Sequence, residues 1–156
     1  MIKGRFGDTS KRPYIEGRLS IPTQKLNTDV SFVFDTGADR TTLMPMDGSK
    51  LGINYKALNW VGQSTGVGGN SRCCFEAAIV TFRDVDGSLY SFKIDLLIIE
   101  PSPEIATVPA LLGRDIINRW RTNYDPIFDL IECEVQSVDQ VFGAAASKFK
   151  NGLRVN

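Results

Sequence analysis

Phe32-Val33-Phe34-Asp35-Thr36-Gly37-Ala38-Asp39 is the stretch on which the reading of this chain turns. Residues 30–34 are β-branched and aromatic, the composition of a buried strand, and they deliver an aspartate straight into a Thr-Gly turn. A carboxylate at the end of an apolar strand is costly unless hydrogen bonds or a shared proton compensate. Gly37 lets backbone approach that carboxylate closely, and its N–H and the Thr36 hydroxyl are candidate donors. Such a setting suits a carboxylate facing a second one. Like charges that close cannot both ionise, so the pair holds one proton. One member then activates water as general base while the other, protonated, polarises a carbonyl. Asp-Thr-Gly by itself is also an ordinary turn, met by chance in roughly a few per cent of chains this long, so the surrounding sequence has to decide.

Working outward, residues 14–21 alternate and read as a strand, 22–28 as a turn, and 41–44 as a resumed extended segment. Residues 45–52 read as a loop around the Asp47-Gly48 turn signal, and 58–61 as a short strand. Gly66-Val67-Gly68-Gly69-Asn70 is a glycine-rich tip between two extended runs, the signature of a long β-hairpin. Asp86-Gly87 marks a second hairpin turn, leading into one or two strands over residues 89–99. Pro101, Pro103 and Pro109 keep the next segment extended. Residues 114–120 carry Ile116, Ile117 and Trp120 at helical spacing and predict a short amphipathic helix, with Asp115 helping to cap it. Residues 124–126 turn the chain, 127–135 read as a further strand, and 1–12 as a loose start or edge strand. The sum is mainly β: a closed barrel or folded-over sheet with one short C-terminal helix. Residues 1–137 form the domain, and 138–156 a tail expected to be helical or disordered.

Composition excludes several classes of function. Lys+Arg and Asp+Glu balance at 18 each in 156 residues, which gives no electrostatic reason to expect a nucleic acid or an anionic membrane as partner. Lys148, Lys150 and Arg154 make too short a basic patch to change that. The first residues lack the apolar core of a signal peptide, and no apolar run is long enough to span a bilayer. With no histidine, Ser-His and Cys-His catalysis and His-based zinc sites are out. Cys73, Cys74 and Cys133 make neither a disulfide framework nor a spaced metal site, and they point to a reducing, cytosolic setting. No cofactor or metal is expected. What remains of common metal-free hydrolytic chemistry uses carboxylates.

Three segments together resemble the retropepsins, the retroviral-type aspartic proteases. These are the apolar run into Asp35-Thr36-Gly37-Ala38-Asp39 followed by Thr41-Thr42-Leu43, the Gly66-Val67-Gly68-Gly69 tip, and Ala110-Leu111-Leu112-Gly113-Arg114-Asp115-Ile116-Ile117. They occur in the family's order over about residues 15 to 135. The resemblance implies that Asp35 is the catalytic aspartate, that Thr36 hydrogen-bonds across a dimer axis, and that Gly37 lies near substrate backbone. It implies that Ala38 and Asp39 line the cleft, and that Gly66, Val67, Gly68 and Gly69 form a flap over a bound polypeptide. Arg114 would anchor the active-site loop through an ion pair, with Asp39 as first-choice partner.

The chain holds one Asp-Thr-Gly; Asp47-Gly48-Ser49 and Asp86-Gly87-Ser88 lack the order. A second carboxylate would therefore come from another copy at a two-fold axis, making the chain half of a homodimeric endopeptidase. The sequence departs from the viral pattern at Arg40, where a second acidic residue is frequent, so side-pocket preference should differ. Family dimers are commonly held by interleaved terminal strands, a role residues 127–135 would take here. A peptide- or protein-binding dimer on the same fold with little proteolysis is the alternative reading.

Overall fold

The computed structural model describes residues 1–7, 9–66 and 69–155. The chain opens with β1 (Ile2–Lys3), β2 (Arg5–Gly7) and β3 (Arg12–Ile21), then passes a 3-10 turn at Pro22–Gln24 into β4 (Leu26–Phe34). β5 (Thr42–Leu43) and α1 (Pro45–Leu51) follow, then β6 (Gly62–Gly66), β7 (Gly69–Arg83) and β8 (Leu89–Ile99). After β9 (Leu111–Leu112) and α2 (Arg114–Ile117) come β10 (Trp120–Asp125), β11 (Leu130–Val135), β12 (Gln140–Phe142), β13 (Phe149–Lys150) and β14 (Leu153–Arg154).

The main sheet runs β12-β8-β5-β9-β4-β3-β7-β6, with β2 added on β3. β7 also pairs with β8 over its stem, Cys73 opposite Ile99 through Arg83 opposite Leu89. That pairing closes β8, β5, β9, β4, β3 and β7 into a ring, the barrel that the alternation along the strands implies. Alternation is what fills it. Ile15, Leu19 and Ile21 of β3, Val30 and Phe32 of β4, and Val80 and Phe82 of β7 point inward and are buried. Phe82, Phe92 and Trp120 meet edge to face, with centroids 4.9 Å apart for Phe82–Trp120 and 5.9 Å for Phe92–Trp120. Gly17 on β3 makes room for this cluster, since a Cβ there would lie 2.9 Å from the Phe82 ring. Full burial of such a ring is worth about 2–3 kcal/mol, so this cluster outweighs any surface ion pair in the chain.

A second, three-stranded sheet of order β1-β11-β10 packs beside the barrel. β1 pairs with β11, Ile2 opposite Cys133, so the start of the chain is an edge strand. The helix expected over 114–120 is shorter than its spacing suggested. α2 ends at Ile117, and Trp120 already belongs to β10, opposite Val135; the apolar residues at 116, 117 and 120 are core, but the last reaches the core from a strand. Residues 45–52, expected as a loop, hold α1. Pro45 at the first helical position and Gly52 in the left-handed region (φ 80°) supply start and stop signals that outweigh the internal Asp47-Gly48. No strand forms over residues 58–61; β6 begins at Gly62.

Of the segment 138–156, expected to be helical or disordered, the described residues 138–155 instead carry short strands. β12 pairs with β8, Val141 opposite Tyr90, followed by a 3-10 turn at Ala144–Lys148 and the β13–β14 hairpin. Their pairing partners lie outside the segment or span only two residues, so no local periodicity announces them. Asp139 ties this segment down. Its carboxylate accepts from the Arg119 guanidinium at 2.9 Å and from the Lys93 N–H at 2.7 Å, while Arg119 also covers the Phe92 ring at 4.8 Å. No helix among the described residues is long and apolar enough to cross a membrane.

Burial pushes the Asp139 carboxyl up, but Arg119 and the Lys93 N–H together hold it below its ordinary 3.8. Its contribution is therefore complete above about pH 4 and disappears as pH falls through the lower folded-state value. Replacing Asp139 with Asn should cost roughly 1 kcal/mol at pH 7, the figure for a charged hydrogen bond discounted for partial exposure. Urea unfolding should show the gap between variant and parent closing as the pH is lowered toward 2.

Candidate active site

β4 and β5 flank the Asp35 turn, and β9 lies between them. β9 runs parallel to β4, with Val33 opposite Leu111 and Phe34 opposite Leu112, and meets β5 at Thr42. The Asp35 N–H donates to the Leu112 carbonyl at 3.1 Å, so the aspartate leaves the sheet at its last ladder bond. The turn then closes on itself: the Ala38 N–H donates to the Asp35 carbonyl at 3.2 Å, and the Gly37 N–H to the Asp35 carboxylate Oδ1 at 2.8 Å. Asp35 is half-buried, while Thr36, Gly37 and Asp39 are exposed. One carboxylate oxygen is thus fixed by backbone, and the loop that carries it is open to solvent.

Gly113-Arg114-Asp115, directly after β9, brace this loop from beneath. Arg114 donates to the Thr36 carbonyl at 2.7 Å and pairs with the Asp39 carboxylate, and its N–H donates to the Ala38 carbonyl at 2.9 Å. The Arg114 and Asp39 side chains are 41% and 83% exposed, so the pair adds about 0–1 kcal/mol; its effect is to hold both ends of the turn in one shape. Gly113 packs against the strand that returns from the loop. A Cβ there would fall 2.2 Å from the Arg40 carbonyl carbon and 2.6 Å from the Thr41 nitrogen.

Asp115 does not cap α2, whose first residue has no side-chain cap. Its carboxylate instead accepts the Thr41 hydroxyl at 2.7 Å and the Thr41 N–H at 3.0 Å, and the Thr41 hydroxyl accepts the Gly113 N–H at 3.2 Å. Thr41 is fully buried, so these bonds satisfy groups that water cannot reach. Sequence reading placed Thr41 in the motif but gave it no role, because a threonine at a strand start has a bland explanation in its backbone propensity. Only the threading of β9 brings Asp115 to it.

The β6–β7 hairpin carries the glycine-rich segment, with Gly66 opposite Gly69 and Thr65 opposite Asn70. Gly69 has φ 92°, which favours glycine. Val67 and Gly68, also expected at the flap tip, lie outside the described residues. A link between the hairpin stem and the Asp35 loop comes from Arg40, whose guanidinium sits 5.2 Å from the ring centroid of the half-exposed Phe75 on β7. Phe75 has no sequence signal that would have marked it.

The remaining reactive side chains stand apart. Burial pushes the Cys74 and Cys133 thiols up to about 11, which suppresses the thiolate a nucleophile needs. No group of three metal-ligating side chains occurs among the described residues. The arrangement is therefore a carboxylate on a braced, solvent-facing loop beside a β-hairpin.

The aspartyl protease family model matches residues 21–116, which takes in the Asp35 loop, the hairpin and Gly113-Arg114-Asp115. The chain belongs to the aspartyl protease family. A crystal structure of a retropepsin-like aspartic protease from Rickettsia conorii is similar, with 22% identity and a TM-score of 0.49 over 82% of this chain and 94% of that one. No curated protein matches this chain significantly. In this aspartyl protease, the braced loop depends on backbone contact at Gly113. Gly113→Ala should destabilise the fold by roughly 2–4 kcal/mol, since the atoms it meets are main chain. Gly69→Ala is the reference for a mere φ penalty, with nothing near the added carbon, and should cost about 1 kcal/mol. Thermal unfolding of the two variants measures the difference.

Proposed function

We propose that this aspartic protease is an endopeptidase whose catalytic unit is a homodimer, with Asp35 of each copy forming one carboxylate dyad. The observation that carries the reading is the state of Asp35. One oxygen is held by the Gly37 N–H at 2.8 Å, and the loop around it is exposed and occurs once per chain. A single carboxylate has no partner with which to divide acid and base roles. Two of them across a two-fold axis share one proton. The ionised member takes a proton from a water held between them, and that water attacks the peptide carbonyl. The protonated member donates to the carbonyl oxygen, giving a tetrahedral diol, and the proton returns to the leaving nitrogen as the C–N bond breaks.

The neighbouring residues take supporting roles. Thr36 meets its counterpart at the axis, Gly37 leaves space for substrate main chain, and Ala38 and Asp39 line the cleft. Arg114 keeps the turn in the shape these roles need. The Gly66–Gly69 segment closes over the extended polypeptide and excludes water, and Arg40 with Phe75 sets side-chain preference next to it. Residues 1–137 form the catalytic domain, with 138–156 as a brace against β8. The buried free thiols of Cys73, Cys74 and Cys133 suit a reducing compartment such as the cytoplasm.

Asp35→Asn should lower peptide cleavage by at least about 10³-fold, since it removes the ionisable group from both halves of the dyad. Its thermal unfolding should match the parent within about 0.5 kcal/mol, as the Gly37 N–H keeps an acceptor. A peptide library digested with both proteins and read by mass spectrometry makes the comparison. Undiminished cleavage by the variant contradicts the assignment.

A further inference from the structure

One row of cross-strand neighbours leads from the strand that carries Asp35 to the hairpin stem. Val33 stands opposite Leu111, Leu111 opposite Thr42, Thr42 opposite Leu97, and Leu97 opposite Phe75. Opposed residues share a face of the sheet, so the row crosses β4, β9, β5, β8 and β7 on one side. Phe32, Leu112, Leu43 and Cys74, each the chain neighbour of a row member, are buried in the barrel core. Side chains alternate along a strand, so the row itself lies on the outer side. Val33, Leu97 and Leu111 are half-buried there and Phe75 is half-exposed. The result is an apolar floor that the chain's own side chains cover incompletely. Asp35 is the second residue after Val33, and Arg40 the second before Thr42.

Arg40 holds a positive charge at the far end of this floor. Its guanidinium lies 5.2 Å from the Phe75 ring centroid. Its main chain is fixed, since its carbonyl accepts the Thr42 hydroxyl at 2.9 Å and Gly113 packs against it. Contact with a ring face consumes none of the guanidinium's N–H donors. Arg40 is exposed and has no ion pair among the described residues. The acids closest in chain or strand are engaged elsewhere: Asp39 with Arg114, Glu100 with Arg72, and Glu76 with the Thr23 hydroxyl. A guanidinium steadied by a ring, with its fork of donors free, is ready for a carboxylate from outside the chain.

We propose that Arg40 is a specificity-determining residue that receives an acidic side chain of the polypeptide substrate, so that this protease selects chains with a glutamate close to the scissile bond. The methylenes of the glutamate lie on the apolar floor and its carboxylate meets the guanidinium. Glutamine has the same shape without the charge, and lysine brings a like charge to the same place. With two copies about an axis, one Arg40 stands on each side of the cut, so an acidic residue counts on either side. This rests on the Asp35 protease reading and adds to it the class of substrate.

The test is kcat/KM on matched peptides that carry Glu, Gln or Lys in turn at each residue flanking the cut. The parent should favour Glu over Gln by at least about tenfold at one such position, and the preference should shrink as ionic strength rises. Arg40→Gln should bring the Glu/Gln ratio to within about twofold of one, and Arg40→Glu should turn the preference toward Lys. Arg40 is exposed, so both variants should fold, and their unfolding curves check that they do. If Arg40 only latches the loop to the hairpin, its loss slows every peptide alike and leaves the ratio unchanged. Parent cleavage indifferent to Glu and Gln at every position, or a Glu preference that survives Arg40→Gln, overturns the assignment and leaves the protease reading standing. Absence of Asp35-dependent cleavage of any peptide overturns both.

Discussion

The site depends on two residues, the half-buried Leu111 and the buried Leu112, lying between the strands that enter and leave the Asp35 loop. Because β9 bonds to β4 on one side and β5 on the other, the three residues after it arrive directly beneath the loop. Gly113 is small enough to pass the Arg40 backbone, Arg114 reaches the loop carbonyls, and Asp115 takes the buried Thr41 hydroxyl. Remove the threading and each of these contacts is lost together, since none is local in sequence. The loop's shape is thus a consequence of barrel topology and not of its own turn preference.

The energetic weight sits elsewhere. Hydrophobic burial around Phe32, Phe82, Phe92 and Trp120 holds the barrel shut, and the ionic contacts at the loop are too exposed to add much. A division of labour follows. The core supplies rigidity, and Arg114, Asp115 and Gly113 convert that rigidity into a fixed direction for one carboxylate. Preorganisation of this kind matters for catalysis because a reacting group displaced by even 1 Å loses much of its effect.

The Asp35 turn and the glycine-rich hairpin were legible in the sequence because each is marked by residues adjacent in the chain, whereas Gly113-Arg114-Asp115 stood out only by resemblance and Asp115 bonds Thr41 instead of capping α2. A buried apolar strand ending in Asp-Thr-Gly, or glycines between two alternating runs, can be read without knowing the fold. What was not legible depends on distant partners. Thr41 needs Asp115 from 74 residues away, and Phe75 needs Arg40. The strands of residues 138–156 are two or three residues long and take their order from β8 and from each other. α1 was hidden for a different reason: Asp47-Gly48 is a strong turn signal, yet Gly48 is the residue that lets the Tyr55 hydroxyl pack against the helix, 2.2 Å from where its Cβ would be. Trp120 fitted a helical spacing only because two adjacent elements, α2 and β10, bury their apolar side chains in one core.

The central claim is that one carboxylate from each of two chains makes the reactive pair, and subunit mixing tests it most directly. Parent protein is equilibrated with increasing amounts of an Asp35→Asn chain at a fixed concentration of parent, and cleavage per parent chain is followed. If the dyad forms between copies, each parent chain captured in a mixed dimer is silenced, and at an equal mixture activity falls to about half of that of parent alone, declining further toward zero with excess variant. Activity that stays constant per parent chain, however much variant is added and with subunit exchange demonstrated, contradicts a shared active site.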